Sequence, residues 1–67
     1  MPIINVTLIE GRPPEKLRAL ISALTDAAVE SLDAPKDSVR VILHQVPATH
    51  FAAGDVTVAE RSADSSG

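Results

Sequence analysis

The sequence contains no cysteine, tryptophan or tyrosine, and Phe51 is its only aromatic residue. The absence of cysteine excludes disulfide bonds and thiolate metal sites. Two histidines, His44 and His50, are a poor set of metal ligands, so we expect no metal. No apolar run approaches the ~20 residues that cross a membrane. No basic region precedes a hydrophobic one as in a signal peptide, and we therefore expect a cytoplasmic protein.

Basic residues are also scarce. Six lysines and arginines face nine acidic residues, which gives a formal charge of −3, and the cations form no cluster. Nucleic-acid binding needs clustered cations and usually aromatic side chains that stack on bases. We therefore expect no nucleic-acid partner.

The chain is rich in aliphatic residues. Of its 67 residues 45% are hydrophobic, and nearly all of these are aliphatic. A chain of this length buries only about 60% of its unfolded surface. Such chains usually need a disulfide, a metal or oligomerisation, and only the last remains here. The composition therefore predicts a homo-oligomer.

The hydrophobic pattern predicts a single β-α-β unit, an α/β (α+β) fold. Residues 3–9 and 38–46 are β-branched and aliphatic, as in buried strands. Between them, residues 14–32 carry an apolar stripe at three- and four-residue steps, as in an amphipathic helix. The stripe consists of Leu17, Leu20, Ile21, Leu24, Ala28 and Leu32. Two strands joined by a helix are expected to run parallel.

The boundaries of this unit have local causes. Pro14 suits the first turn of a helix, and Asp33-Ala34-Pro35 should end it, because the residue before a proline avoids the α conformation. A turn-rich stretch over 47–54 is followed by a predicted short strand over 56–59, which would form a C-terminal strand or hairpin. We expect one domain over 1–61 and a polar, flexible tail over 62–67.

Pro2 raises a chemical question. A proline fits the first position of a strand, which is one explanation. If Met1 is removed, however, its ring nitrogen becomes a secondary amine. Apolar walls and nearby guanidinium groups would lower the pKa of such an amine toward neutrality, where a general base works best.

Two arginines are candidate partners for this amine. Arg12 precedes the helix N-terminus, which favours anions rather than cations; it is either a solvated loop residue or part of an anion clamp. Arg40 interrupts an aliphatic strand, so it either reaches water or an acid such as Asp37 or Glu10, or lines a pocket. Parallel strands place Pro2 and Arg40 at one sheet edge and Arg12 beyond the other end. Only an oligomer interface is expected to unite all three.

Several stretches together resemble one family. They are the initial MPI, LIEGR (8–12), SLDAP (31–35), SVRVI (38–42) and HF (50–51), in register and without gaps. The chain resembles 4-oxalocrotonate tautomerase, a short-chain member of the tautomerase superfamily.

The resemblance implies a fold, an assembly and a reaction. Members are usually hexamers, trimers of dimers, whose active sites are shared between subunits. Pro2, freed of Met1, would act as general base in converting 2-hydroxymuconate to 2-oxohex-3-enedioate without a cofactor. Arg12 would bind the distal carboxylate, and Arg40 of a neighbouring subunit the 2-hydroxyl or 2-oxo group with its carboxylate. Ile9 and Phe51 would wall the pocket.

Other readings stay open. The chain departs from the family at Pro13-Pro14, in a turn with less glycine (52–55) and in its tail. One alternative is a promiscuous member of the superfamily that acts on phenylenolpyruvate. A hydratase-type dehalogenase like the 3-chloroacrylate enzymes would need a carboxylate near Ala52-Ala53 and an arginine in place of Ile9. Pro2 is also a candidate nucleophile toward aldehydes. Retained Met1 would instead favour a non-enzymatic oligomeric module.

Overall fold

The structure, a computed structural model, describes residues 1–65. Its elements are β1 (Ile3–Ile9), α1 (Pro14–Leu32), β2 (Arg40–Val46), β3 (Ala52–Ala53), β4 (Val56–Thr57) and α2 (Val58–Ser65), with short 3-10 turns at Lys36–Ser38 and Ala48–His50. β1 and β2 pair in parallel, and β3 and β4 form an antiparallel hairpin. The predicted β-α-β unit with a C-terminal hairpin is confirmed.

Helix α1 begins and ends where the prolines indicated. Pro13 is extended, with φ −68° and ψ 154°, and Pro14 is the first helical residue, where no amide donor is needed. After Leu32 the backbone of Asp33 turns to the left-handed region at φ 56°. This turn ends the helix at Leu32, ahead of Ala34, the residue that Pro35 disfavours in the α conformation.

The strand pair is held in one register along its whole length. Ile3 lies opposite Arg40 and Ile9 opposite Val46. The backbone N–H of Glu10 donates to the Val46 carbonyl at 2.9 Å, which extends the pairing past the last matched residues. β2 is shorter than the predicted 38–46, because Ser38 lies in a 3-10 turn and its hydroxyl donates to the Pro35 carbonyl at 2.7 Å.

The two faces of the strand pair are unequal. One face is half-buried on the side of α1 and carries Ile4, Val6, Leu8, Val41 and Leu43. The other, here called the open sheet face, is exposed and carries Ile3, Asn5, Thr7, Ile42 and His44. Ile3 and Ile42 on this face are 57% and 44% exposed. Apolar strand residues therefore face outward in the single chain.

A single chain has almost no buried hydrophobic core. Among the described residues only Ala28 is a buried apolar residue, and Leu32, the last member of the predicted stripe, is exposed. The accessible surface is 4871 Å², against about 4000 Å² for a folded monomer of this mass. The radius of gyration is 15.4 Å, against about 11 Å for a compact chain of this length. These values fit one subunit of a larger assembly.

The C-terminal region differs from its prediction. A strand was expected over 56–59, but only Val56 and Thr57 are extended, and α2 starts at Val58. The Thr57 hydroxyl accepts a hydrogen bond from the Glu60 N–H at 3.1 Å, which caps the helix N-terminus. The predicted tail over 62–67 overlaps α2, and its residues 66–67 lie outside the described residues. Within residues 1–65 no helix is both long and apolar enough to cross a membrane.

Candidate active site

Pro2 and Arg40 lie together at one end of the strand pair. The backbone N–H of Arg40, the first residue of β2, donates to the Pro2 carbonyl at 3.0 Å. Pro2 is half-buried, whereas Met1 ahead of it is exposed. While Met1 is present, the Pro2 nitrogen is an amide without a basic lone pair. The parallel strands thus bring these two residues to a common edge, as their positions in the sequence predicted.

The side chain of Arg40 is exposed and turns back along its own chain. Its Nη1 donates to the backbone carbonyl of Asp37 at 2.7 Å. Asp37, an acid considered as the partner of Arg40, therefore binds it through the backbone carbonyl and not through the carboxylate. A guanidinium has five N–H donors, so this single bond leaves most of them available to an anion.

Arg12 lies beyond the opposite end of the strand pair. Its Nη1 donates to the carbonyl of Ile9, the half-buried last residue of β1, at 2.9 Å. Between them Gly11 has φ 124°, a backbone conformation that side chains disfavour, and this allows the chain to fold back. The turn therefore holds the Arg12 guanidinium beside Ile9 through one of its five N–H donors.

An open groove of about 480 Å³ adjoins Arg12. We call it the Arg12 groove; it is lined by Leu8, Arg12, Pro13, Lys16, Leu17 and Leu20. Its lining is mainly apolar, with two cationic side chains. Lys16 was not among the residues predicted for the site. Its spacing from Arg12 gave no signal in the sequence, because Arg12 and the extended Pro13 precede the helix.

One chain does not unite the predicted site residues. The seven residues of β1 separate Pro2 from the Ile9–Arg12 end, or ~23 Å at ~3.3 Å per residue. Phe51 is 37% exposed. It lies before β3, and its carbonyl accepts the N–H of Val58 at 2.8 Å. A single chain therefore offers two incomplete sets of groups, one at each end of the strand pair.

The two histidines lie in different elements of the fold. His44 lies on the open sheet face, where its Nε2 is 3.3 Å from the Asn5 Oδ1. His50 is exposed at the end of its 3-10 turn. Residues 1–65 contain no group of three or more histidine, cysteine or acidic side chains that could hold a metal ion.

Comparison with known proteins defines the family. Residues 2–61 match the family model described as tautomerase enzyme. A probable tautomerase of Ralstonia nicotianae is 57% identical over 56 residues, which cover 84% of this chain and 80% of the relative. A 2-hydroxymuconate tautomerase of Stutzerimonas stutzeri is 44% identical over 54 residues, which cover 81% and 86%. The chain belongs to the tautomerase family.

Solved structures agree with this assignment. TomN, a 4-oxalocrotonate tautomerase homologue in the tomaymycin biosynthetic pathway, superposes with a TM-score of 0.90 at 48% identity, over 92% of this chain and 95% of its own. A heterohexameric 4-oxalocrotonate tautomerase from Chloroflexus aurantiacus gives 0.86 at 38% identity, over 90% and 97%. The fold is the one expected from the sequence resemblance, and the chain is a tautomerase-family enzyme.

Proposed function

We propose that this chain converts 2-hydroxymuconate, a dienol, into 2-oxohex-3-enedioate, with Pro2 as general base once Met1 is removed. The observation that carries the proposal is the position of Pro2, which is half-buried at the end of the strand pair directly behind the exposed Met1. Its carbonyl accepts the backbone N–H of Arg40 at 3.0 Å, so removal of Met1 would free an amine at a fixed place beside β2. The relative from Stutzerimonas stutzeri, 44% identical, bears the name of this reaction.

The proposed reaction is a proton transfer between two positions of one molecule. The Pro2 nitrogen takes the proton of the 2-hydroxyl group, the C2–O bond becomes a carbonyl, and the double bonds shift along the chain. The protonated amine then returns a proton to C5. Two cations would stabilise the charge that develops: Arg40 at the oxygen on C2 and its carboxylate, and Arg12 at the distal carboxylate. Acid–base chemistry of this kind requires no cofactor.

The site is proposed to be shared between copies in a homohexamer, a trimer of dimers. About 23 Å of strand separates Pro2 from the Arg12 end of its own chain, so a second copy must supply one set of groups. The exposed apolar residues of the open sheet face supply surface for such contacts, and a relative is a heterohexamer. Arg40 of a neighbouring subunit would also join the site, since the guanidinium of the chain's own Arg40 turns back to the Asp37 carbonyl. Ile9 and Phe51 would wall the pocket.

Arg12→Ala is expected to lower kcat/KM for 2-hydroxymuconate by about tenfold to a hundredfold, the usual range for one charge-assisted contact in a site. Turnover of a monoacid enol such as phenylenolpyruvate should change little, because it has no distal carboxylate. The measurement is the loss of enol absorbance with both substrates.

Arg18→Ala is the matched control for this experiment. Arg18 is also an exposed arginine of the same region, but its Nη1 donates to the Ser22 hydroxyl at 3.1 Å. This variant should keep wild-type rates with both substrates. Equal losses for the diacid and the monoacid in Arg12→Ala would contradict a role at the distal carboxylate, and absence of turnover by the wild type would end the proposal.

The rate should also depend on pH. An amine base works only when unprotonated, so kcat/KM is expected to rise with pH through one apparent pKa. That pKa should lie below the value for an exposed proline amine, because apolar walls and guanidinium groups disfavour the charged form. A profile measured from pH 5 to 9 at constant ionic strength tests this, and a flat profile near neutrality contradicts an amine base.

A further inference from the structure

The Arg12 groove contains a second cation that the proposed reaction does not use. Lys16 lies in the first turn of α1, where its backbone N–H donates to the Pro13 carbonyl at 3.0 Å. Its side chain lines the same groove as Arg12.

Neither cation is neutralised within the described residues. No hydrogen bond or ion pair engages the Lys16 ammonium there, and the Arg12 guanidinium bonds only the Ile9 carbonyl. Glu10 and Glu15 are near in sequence but are exposed and pair with neither cation. Acids outnumber cations nine to six in this chain. An excess of positive charge therefore does not explain why Arg12 and Lys16 lack acidic partners there.

The rest of the groove is apolar. Leu8, Leu17 and Leu20 form this part together with Pro13. The volume of about 480 Å³ falls within the range of about 300–1000 Å³ that is usual for small-ligand sites. Two unpaired cations beside a leucine surface are complementary to a carboxylate attached to a hydrocarbon chain.

We propose that Lys16 binds the distal carboxylate of the substrate together with Arg12, and that it selects dicarboxylates over monocarboxylates. The inference rests on the proposed function, since it concerns the same carboxylate. Arg12 bonds the Ile9 carbonyl with one of its N–H groups, and the flexible Lys16 ammonium adds a second charged group for the same carboxylate. The leucines bind the adjoining carbon atoms, so Lys16 determines specificity without touching the reacting atoms.

Binding of unreactive acids tests this directly. Adipate and hexanoate have six carbons each and no enol, and differ in the second carboxylate. Lys16→Met removes the charge and keeps the apolar stem. In the assembled protein without Met1, titration calorimetry at low ionic strength is expected to show adipate binding weakened by about twofold to fivefold, the range for one exposed charged contact. Hexanoate binding should be unchanged, and Lys16→Arg should retain the wild-type preference for adipate.

Lys36→Met is the matched control. Lys36 is an exposed lysine that lines a different groove, beside Arg18 and Asp26, and its replacement changes the net charge equally. It should leave both affinities unchanged. Adipate binding that Lys16→Met leaves unaltered, or an equal loss for the two acids, overturns the proposal. A change in the mass of the assembly in Lys16→Met also overturns it, because Lys16 would then serve subunit packing.

The outcomes separate this inference from the proposed function. If adipate binding depends on Lys16 but no dienol is turned over, the tautomerase reaction is refuted and the carboxylate site stands. If 2-hydroxymuconate is turned over and Lys16→Met leaves its KM and the affinity for adipate unchanged, the reaction stands and the role of Lys16 is refuted.

Discussion

A chain with one alanine inserted between Met1 and Pro2 is expected to lose about 10²- to 10⁴-fold in kcat for 2-hydroxymuconate, the usual contribution of a general base. After removal of Met1 the new alanine carries the free amine, and the proline nitrogen is an amide that accepts no proton. KM should change much less, because Arg12 and Arg40 are untouched. Steady-state kinetics, with the intact mass of each protein measured, checks this result.

Pro2→Ala is the control that keeps an amine at the original position. Its primary amine still accepts a proton, so we expect a smaller loss than in the extended chain. The extended chain at full activity would refute the Pro2 base. A wild-type protein whose intact mass includes Met1 would do the same and would favour a non-enzymatic oligomeric module.

Ile42→Glu is expected to dissociate the assembly and to abolish turnover together with it. Ile42 lies in the middle of β2, opposite Asn5, and is 44% exposed in the single chain. If the open sheet face is covered by another copy, a carboxylate there loses its water without gaining a partner. The cost is several kcal/mol for each buried ion, and a hexamer would repeat it at every subunit. Light scattering for the mass and an assay of 2-hydroxymuconate turnover measure the two effects.

Ala23→Glu adds the same charge to an exposed position of α1. It should leave both the mass of the assembly and the turnover unchanged. That result would exclude a general effect of added negative charge as the cause of the losses in Ile42→Glu. If Ile42→Glu keeps the wild-type mass, the open sheet face is not the surface that holds the subunits together.

The two predictions address different halves of one hypothesis. The extended chain removes the base and leaves the assembly in place. Ile42→Glu leaves the base in place and separates it from the groups at the Arg12 end of another copy. Loss of activity in both is expected only if Pro2 works in a site that is shared between subunits.

The main unit of the fold was predictable because its signals are local. Prolines restrict the backbone at Pro14 and ahead of Pro35, and these are the places where α1 begins and stops. Strand β1 has the predicted bounds, since β-branched residues fill it and Glu10-Gly11 follows it. A helix between two strands then required the parallel pairing that puts Pro2 next to Arg40.

The second helix was missed although the sequence contains its signal. Thr57 and Glu60 have the spacing of a capping box, in which a hydroxyl caps the N–H three residues later. β-branched residues at 56–58 favoured a strand, and the cap outweighed that preference at Val58. The preceding turn is also local, since Gly54 and Asp55 have φ 58° and 67°, as in a two-residue hairpin turn.

The sequence by itself determined the order and bounds of β1 and α1, the pairing of the strands and the family. Each of these follows from residue periodicity, from proline and glycine positions, or from motifs read along the chain. Only the tertiary structure decided that Arg12 folds back on Ile9 and shares an apolar groove with Lys16. That arrangement depends on the direction the backbone takes at Gly11 and on where the start of α1 lies relative to Leu8, and neither can be read from residue spacing.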